Sequence, residues 1–371
     1  MIKIAFVIDT IESPTAGTEK QLLLLIKHLD RTKFQPYLAV LRTSEWLAKE
    51  FDLCPLFEAK IESFKTLNGW LGLKRLAGFF ATEHIDIVQT HFRDSSIAGI
   101  LAARLAGVTA IVATRRNQGY WLTPMELRIQ TFLNRWVTAF IANSVSTKQW
   151  AETTEGISSE RVHVIYNAID LEPYKGTLKE MRAAARHELN LAENVPVVGI
   201  VANLRPVKGI DLFLRAASYV SAIMPAARFL IVGEGNERAE LEELANTLGL
   251  GEAVSFLGSR QNVIKLLAAF DVGVLSSNSE SFSNSIVEYL AAGLPVVCTD
   301  VGGCREAVEG DGRGIVVAVG DHEGLGKAII RLLEQPDSNP HRGSSAWVSK
   351  TCDLKQVVDK FEGLYAGLIK A

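Results

Sequence analysis

Apolar positions along the chain fall in short blocks that alternate between two rhythms. IKIAFVI, residues 2–8, is a continuous apolar run, as expected of a strand buried on both faces. After a loop containing Pro14 and Gly17, apolar residues recur at helical spacing from 18 to 29. Strands follow at PYLAVL, IDIVQTH (85–91), TAIVATRR, AFIANS and RVHVI. The spacing predicts helices over 95–105 and from Thr123-Pro124, with Thr as cap and Pro in the first turn. The same alternation restarts at PVVGIVANL. It continues through ARFLIVGEG, NERAELEELANTLGL, VSFLG, DVGVLSS, a helix over about 283–292, PVVC, GIVV and a helix over 322–334.

Alternating strands and helices predict an α/β protein with parallel sheets and right-handed crossovers. At 371 residues the chain is too long for one typical core and suits two. The expected plan is two Rossmann-like, doubly wound domains facing across a cleft, each binding at the carboxyl ends of its strands. Residues 1–170 form the first domain and 171–345 the second, with the boundary between Asn167 and Thr177. PDSNPHRGSS after Gln335 reads as a linker, and residues 346–371 as a terminal helical piece packing back towards the first domain.

Composition changes this picture little. A formal net charge of −3 gives no bulk electrostatic case for nucleic acid. Cys54, Cys298, Cys304 and Cys352 form no C-x-x-C and no zinc spacing, which fits a reducing, cytoplasmic setting. No 18-residue apolar span occurs, so the protein is expected to be soluble or peripheral at the inner face of a membrane. The stretch 63–82 leaves two readings open. Trp70 and Phe79-Phe80 among Lys65, Lys74 and Arg75 suit either an anionic membrane surface or an ordinary core-packing helix.

Candidate chemistry concentrates in the second half. Between Asp271 and Gly303 a buried strand, a polar loop, a helix and a second strand follow one another. A helix start at the carboxyl edge of a parallel sheet carries unpaired N–H groups that suit a phosphate. Glu280 precedes that helix and Glu288 lies inside it, roughly 8 Å along at about 1.5 Å per residue. Arg205 and Lys208, in LRPVKG, place two cations on a loop held by Pro206 and Gly209, within reach of a diphosphate. GEGNER lacks the third glycine of a dinucleotide fingerprint, since Arg238 stands there. There is no D-x-D metal clamp, P-loop, G-x-S-x-G or H-E-x-x-H, and Asp321-His322-Glu323 reads as a surface turn.

LRPVKGID, FLIVGEGNERAELEELANTLGL, VSFLG, DVGVLSSNSESFSNSIVEYLAAGLPVVCTDVGG and GIVV together resemble the retaining GT-B glycosyltransferases of the family-four, group-one class. The likeness is close over about 197–335 and looser in the first half, through AGTEKQLL, IDIVQTH and NAID. It implies transfer of a sugar from a nucleotide-sugar donor, UDP- or GDP-linked, to a glycan or lipid-linked acceptor. It implies no cofactor and no metal, and a place in surface polysaccharide or glycolipid synthesis. By the resemblance, Arg205 and Lys208 hold the diphosphate and stabilise the leaving group, and Glu280 contacts the donor sugar. Glu288 binds the ribose, backbone around Phe282, Ser283 and Asn284 touches sugar and phosphate, and Gly17 approaches the diphosphate.

The chain departs from the family at two places. Ala16-Gly17 replaces the usual pair of glycines, and Arg115-Arg116 stand where many members carry a histidine. His91 holds the family's other common histidine position, so the acceptor or sugar contact falls either to His91 or to Arg115 or Arg116. Two other readings use the same fold. A nucleotide-sugar 2-epimerase would need further acid–base groups in the first half, beyond His91 and Asp94. A non-catalytic nucleotide-sugar-binding protein would not need the intact set of Arg205, Lys208, Glu280 and Glu288.

Overall fold

A computed structural model describes residues 1–371 except 120–121, 175–177, 261, 310–313, 335–345 and 371. The chain divides into two compact units, Met1–Ala168 with Lys355–Ala371, and Ile169–Leu354.

The first unit is built on strands β1 (Ile2–Ile8), β2 (Phe34–Val40), β3 (Leu56–Glu58), β4 (Ile87–Thr90), β5 (Ala110–Arg115), β6 (Ala139–Ala142) and β7 (Val162–Val164). All pair in parallel, in the order 3-2-1-4-5-6-7. In the second unit β8 (Val197–Val201), β9 (Arg228–Val232), β10 (Val254–Gly258), β11 (Val272–Leu275), β12 (Val296–Thr299) and β13 (Gly314–Val317) run in the order 10-9-8-11-12-13. Both sheets are Rossmann-like, as the alternating pattern predicts. Each order reverses once, between β1 and β4 and between β8 and β11. At such a reversal the flanking loops part to opposite faces and leave a crevice at the carboxyl ends of the strands.

Apolar burial on both sheet faces explains the continuous runs. Ile4, Phe6, Val88 and Ile111 in the first unit, and Val198, Phe229, Val272 and Val297 in the second, are completely buried. The helix Leu67–Thr82 is capped by Thr66 and packs one face into the core. It buries Leu73, Leu76, Ala77 and Phe80, while Leu67, Trp70 and Leu71 near its start remain exposed.

Some elements carry no clear signal in the pattern. The helix Leu178–Glu188 is strongly polar yet is fastened by Arg182 and Arg186, which both pair with Asp271. Residues 346–371 hold two helices rather than one. Ala346–Thr351 lies in the second unit, whereas Leu354–Lys370 lies almost wholly in the first. There Tyr365 is fully buried, its ring edge-on to Phe6 and Phe34. Asp321, read as part of a surface turn, caps the helix His322–Glu334 by accepting from the Gly324 N–H at 2.8 Å. The linker-like stretch after Gln335 lies outside the described residues. Among those described, no helix is long and apolar enough to cross a membrane.

Candidate active site

In the second unit, the loops after β8 and β11 meet at the reversal point of the sheet. The chain leaves β8 through residues 202–205 and makes one tight turn at Pro206–Lys208. Gly209 then adopts φ 58°, in the left-handed region. A Cβ there would lie 2.2 Å from the Ser276 carbonyl oxygen, so only glycine lets the two loops close on each other. Asn278 locks the contact. Its backbone N–H donates to Val207 O at 2.8 Å and its side chain to Pro206 O at 3.0 Å. Ser276 Oγ donates to Lys208 O at 3.1 Å.

These bonds set Lys208 against Glu280. Lys208 Nζ is 2.5 Å from Glu280 Oε1, and Ser277 Oγ donates to the same oxygen at 2.9 Å. The Glu280 carboxylate is only 12% exposed, so the ammonium satisfies a charge that burial would otherwise penalise. Behind it, Gly302 at φ 49° lets the chain pass the Glu280 carbonyl, where a Cβ would come within 2.0 Å. Arg205 is exposed at the start of the same turn.

The helix Asn284–Ala291 is held to the end of β8 by residues four apart. Ser285 Oγ donates to Val201 O at 2.6 Å, and the Val201 N–H donates to Tyr289 Oη at 2.7 Å. Phe282 and Ser283 lead into this helix and are buried, and the Ser283 side chain makes no capping bond to its first turn. Asn284 opens the helix. Glu288, half-buried on the helix, stands near Tyr174. Burial, and then the Glu288 charge, push the Tyr174 phenol above its ordinary range. The structure thus sets Lys208 against Glu280, on loops at the ends of β8 and β11, and ties the helix that carries Glu288 to the end of β8, from which the turn bearing Arg205 leaves. Sequence reasoning did not single out Ser276, Asn278, Ser285 and Tyr289, which hold it. The one available signal was the four-residue spacing of Ser285 and Tyr289.

Gly17 belongs to the first unit, where it opens the helix Gly17–His28. Its cap residue Ala16 has no side-chain oxygen to satisfy the first turn. Glu19 in that turn is raised above its usual carboxyl range, chiefly by burial.

His91 and the two arginines separate into different roles. His91 follows β4, is 4% exposed, and is lowered to about 3 by burial and by the Arg116 charge. Tyr365 Oη donates to Gln89 Oε1 at 2.7 Å, which turns the Gln89 amide nitrogen towards His91 Nε2 at 3.4 Å. Nε2 is then the acceptor and the proton sits on Nδ1, which is buried without a hydrogen-bond partner.

Arg115 lines the same small pocket as His91, but its guanidinium is committed to a buried carboxylate. Its Nε and Nη2 grip the Glu155 carboxylate at 2.7 and 2.8 Å, and Nη2 also reaches Asn134 Oδ1 at 2.9 Å. Both partners are buried, and the guanidinium lies over Phe140. Arg116 is the first residue after β5. It is half-buried, donates to Asn167 Oδ1 at 2.8 Å, and borders a small pocket with His91.

Comparison with known proteins agrees with both halves of this architecture. Residues 15–173 match the family model described as Glycosyltransferase Family 4, and residues 181–346 the one described as Glycosyl transferases group 1. A Bacillus anthracis N-acetyl-alpha-D-glucosaminyl L-malate synthase is 25% identical over 80% of this chain and 78% of its own. An Escherichia coli UDP-Gal:alpha-D-GlcNAc-diphosphoundecaprenol alpha-1,3-galactosyltransferase is 27% identical over 85% and 83%. The crystal structure of Anabaena HepE in complex with UDP superposes with a TM-score of 0.86 at 24% identity, covering 99% of this chain and all of that one. WaaG, a glycosyltransferase involved in lipopolysaccharide biosynthesis, gives 0.74 at 18% identity, covering 97% and 99%. The chain belongs to the family-four, group-one glycosyltransferases and has their GT-B fold.

Proposed function

We propose that the protein is a retaining hexosyltransferase that moves a sugar from a nucleotide-sugar donor to a glycan or lipid-linked acceptor without a metal. The observation that carries this reading is the Lys208–Glu280 pair between the loops after β8 and β11, beside the turn that bears Arg205 and the helix that bears Glu288. In it, Arg205 and Lys208 take the diphosphate and Glu288 the ribose. As the diphosphate arrives, Lys208 exchanges Glu280 for phosphate oxygen, and Glu280 turns to the hydroxyls of the sugar.

In the transfer step the bond from the sugar C1 to the diphosphate oxygen breaks with its electron pair. A bond from C1 to the acceptor oxygen forms on the same face, and the acceptor proton leaves with the departing phosphate. Negative charge grows on the diphosphate, where two preorganised cations and the helix start stabilise it. Neutral His91 offers its Nδ1 hydrogen to a hydroxyl of sugar or acceptor.

A UDP-linked donor is favoured by the UDP and UDP-glucose complexes of HepE and by the UDP-galactose donor in the name of the E. coli relative. The acceptors in the relatives' names, L-malate, a diphosphoundecaprenol-linked sugar and inositol phosphate, are all anionic. They support a role in polysaccharide or glycolipid synthesis. Thermal shift against a panel of UDP- and GDP-sugars, repeated in EDTA, tests the donor side. Stabilisation by UDP-sugars that survives EDTA is expected, and strict dependence on a divalent cation would remove the cation-only clamp.

A further inference from the structure

In the first unit, the reversal point between β1 and β4 opens onto two adjoining spaces. His91, Arg116 and Asn117 border a polar niche of about 30 Å³ at the ends of β4 and β5. Arg93, Ser96, Arg115 and Gln130 line both this niche and a neighbouring cavity of about 310 Å³. The cavity has a more apolar lining, with Phe64, Ile97, Ile100, Ile129 and Leu133 in its walls beside Asp94, Glu126 and Asn134. It lies between the helices Arg93–Ala106 and Pro124–Leu133.

A polar niche continuous with an apolar chamber matches an amphiphile. The niche side carries the positive charge of Arg116, since Arg93 is paired with Asp94 and Glu126, and the buried, unpartnered Nδ1–H of His91 borders it. The surroundings carry the same preference outward. Met125, Ile129 and Phe132 on the helix Pro124–Leu133 are 63%, 43% and 50% exposed. Phe64 leads into the helix Leu67–Thr82, which has no acidic residue, exposes Leu67 and Trp70, and carries exposed Lys74 and Arg75. Apolar residues beside cations suit the surface of an anionic bilayer.

We propose that this cavity takes the hydrocarbon chain of an anionic, lipid-linked acceptor, whose polar head occupies the niche at His91 and Arg116. The proposal rests on the transferase reading and assigns the acceptor's chemical class within it. Specificity then has two parts. The niche selects an anionic head, and the chamber rewards each methylene that leaves water, by roughly fourfold in affinity.

Calorimetric titration of the full chain with dodecyl phosphate below its micelle concentration, and with butyl phosphate, tests this. Dodecyl phosphate is expected to bind more than about tenfold tighter, since two buried methylenes suffice for that gain. Ile97→Trp, which fills the chamber, should abolish the gain. Ile129→Ser, at a position already 43% exposed and cheap to substitute, should reduce it several-fold. Equal affinity for the two phosphates overturns the proposal, as does an undiminished gain in both variants. UDP affinity, measured on the same samples, separates the two readings. Intact UDP binding without chain-length dependence removes the lipid cavity and leaves the transferase, whereas chain-length dependence without UDP binding does the reverse.

Discussion

The Nζ of Lys208 and the carboxylate of Glu280 form an ion pair of 2.5 Å between two loops separated by 72 residues of chain. The pair couples the group proposed for the leaving phosphate to the group proposed for the sugar.

Lys208→Ala should lower kcat/KM by at least about a hundredfold, the usual scale for loss of one preorganised charge at a developing anion. The fold should persist, with a stability loss of about 1–3 kcal/mol from leaving the Glu280 carboxylate without its cation. Steady-state kinetics and urea unfolding report the two effects separately. Normal turnover would remove Lys208 from the leaving-group role.

Glu288→Ala should weaken UDP binding by roughly tenfold or more, the worth of hydrogen bonds from ribose hydroxyls to a charged acceptor. Titration with UDP checks this, and unchanged affinity would count against the ribose assignment.

Gly209→Ala tests the loop contact. Its φ of 58° and the 2.2 Å approach to Ser276 O leave no room for a methyl group. A loss of about 2 kcal/mol or more is expected, together with reduced activity, because the displaced turn carries Lys208. Activity and stability both at wild-type level would show that the two loops need not touch.

Arg115→Leu should act on stability rather than on acceptor affinity. It strands a buried Glu155 carboxylate, a change worth about 3–5 kcal/mol. Arg116→Ala should instead raise KM for the acceptor with little change in the unfolding midpoint. The reverse pattern would return Arg115 to the acceptor side.

His91 gives a pH signature. Its folded value of about 3 lies below the ordinary 6.5 of histidine, so between those values the unfolded chain binds the extra proton. Stability from this group is therefore complete above about pH 6.5 and falls as the pH drops, by about 1.4 kcal/mol per unit. Between pH 7 and 5 the wild type should lose about 2 kcal/mol more than His91→Gln in urea unfolding. Parallel pH profiles for the two proteins would show that His91 is not held neutral by burial.

Strands were the most legible part of the chain, because β1, β8 and β11 are continuous apolar runs that only a doubly covered sheet can bury. Strand order was not legible, since the crossovers that place β4 beside β1 depend on packing rather than on local pattern. The helix Leu178–Glu188 escaped notice because its anchors are Arg182 and Arg186, ordinary surface residues in any linear reading. Motif spacing identified Lys208, Glu280 and Glu288, but not their mutual arrangement. Glu280 faces Lys208 because of Gly209 and Asn278, whose roles arise only when two distant loops touch. Arg115 and Arg116 were indistinguishable as neighbours in sequence. Both line the niche, but only Arg115 is clamped by the buried Glu155.

Tyr365 has a consequence for the timing of synthesis. Its hydroxyl orients Gln89, which in turn fixes where His91 carries its proton. The ribosome makes β1 to β7 first, then the whole second unit, and only afterwards this tyrosine. At translation speeds of about 5–20 residues per second, the sheet of the first unit waits roughly 10–40 s for the side chain that completes it. The second unit, contiguous in sequence, is synthesised during that interval.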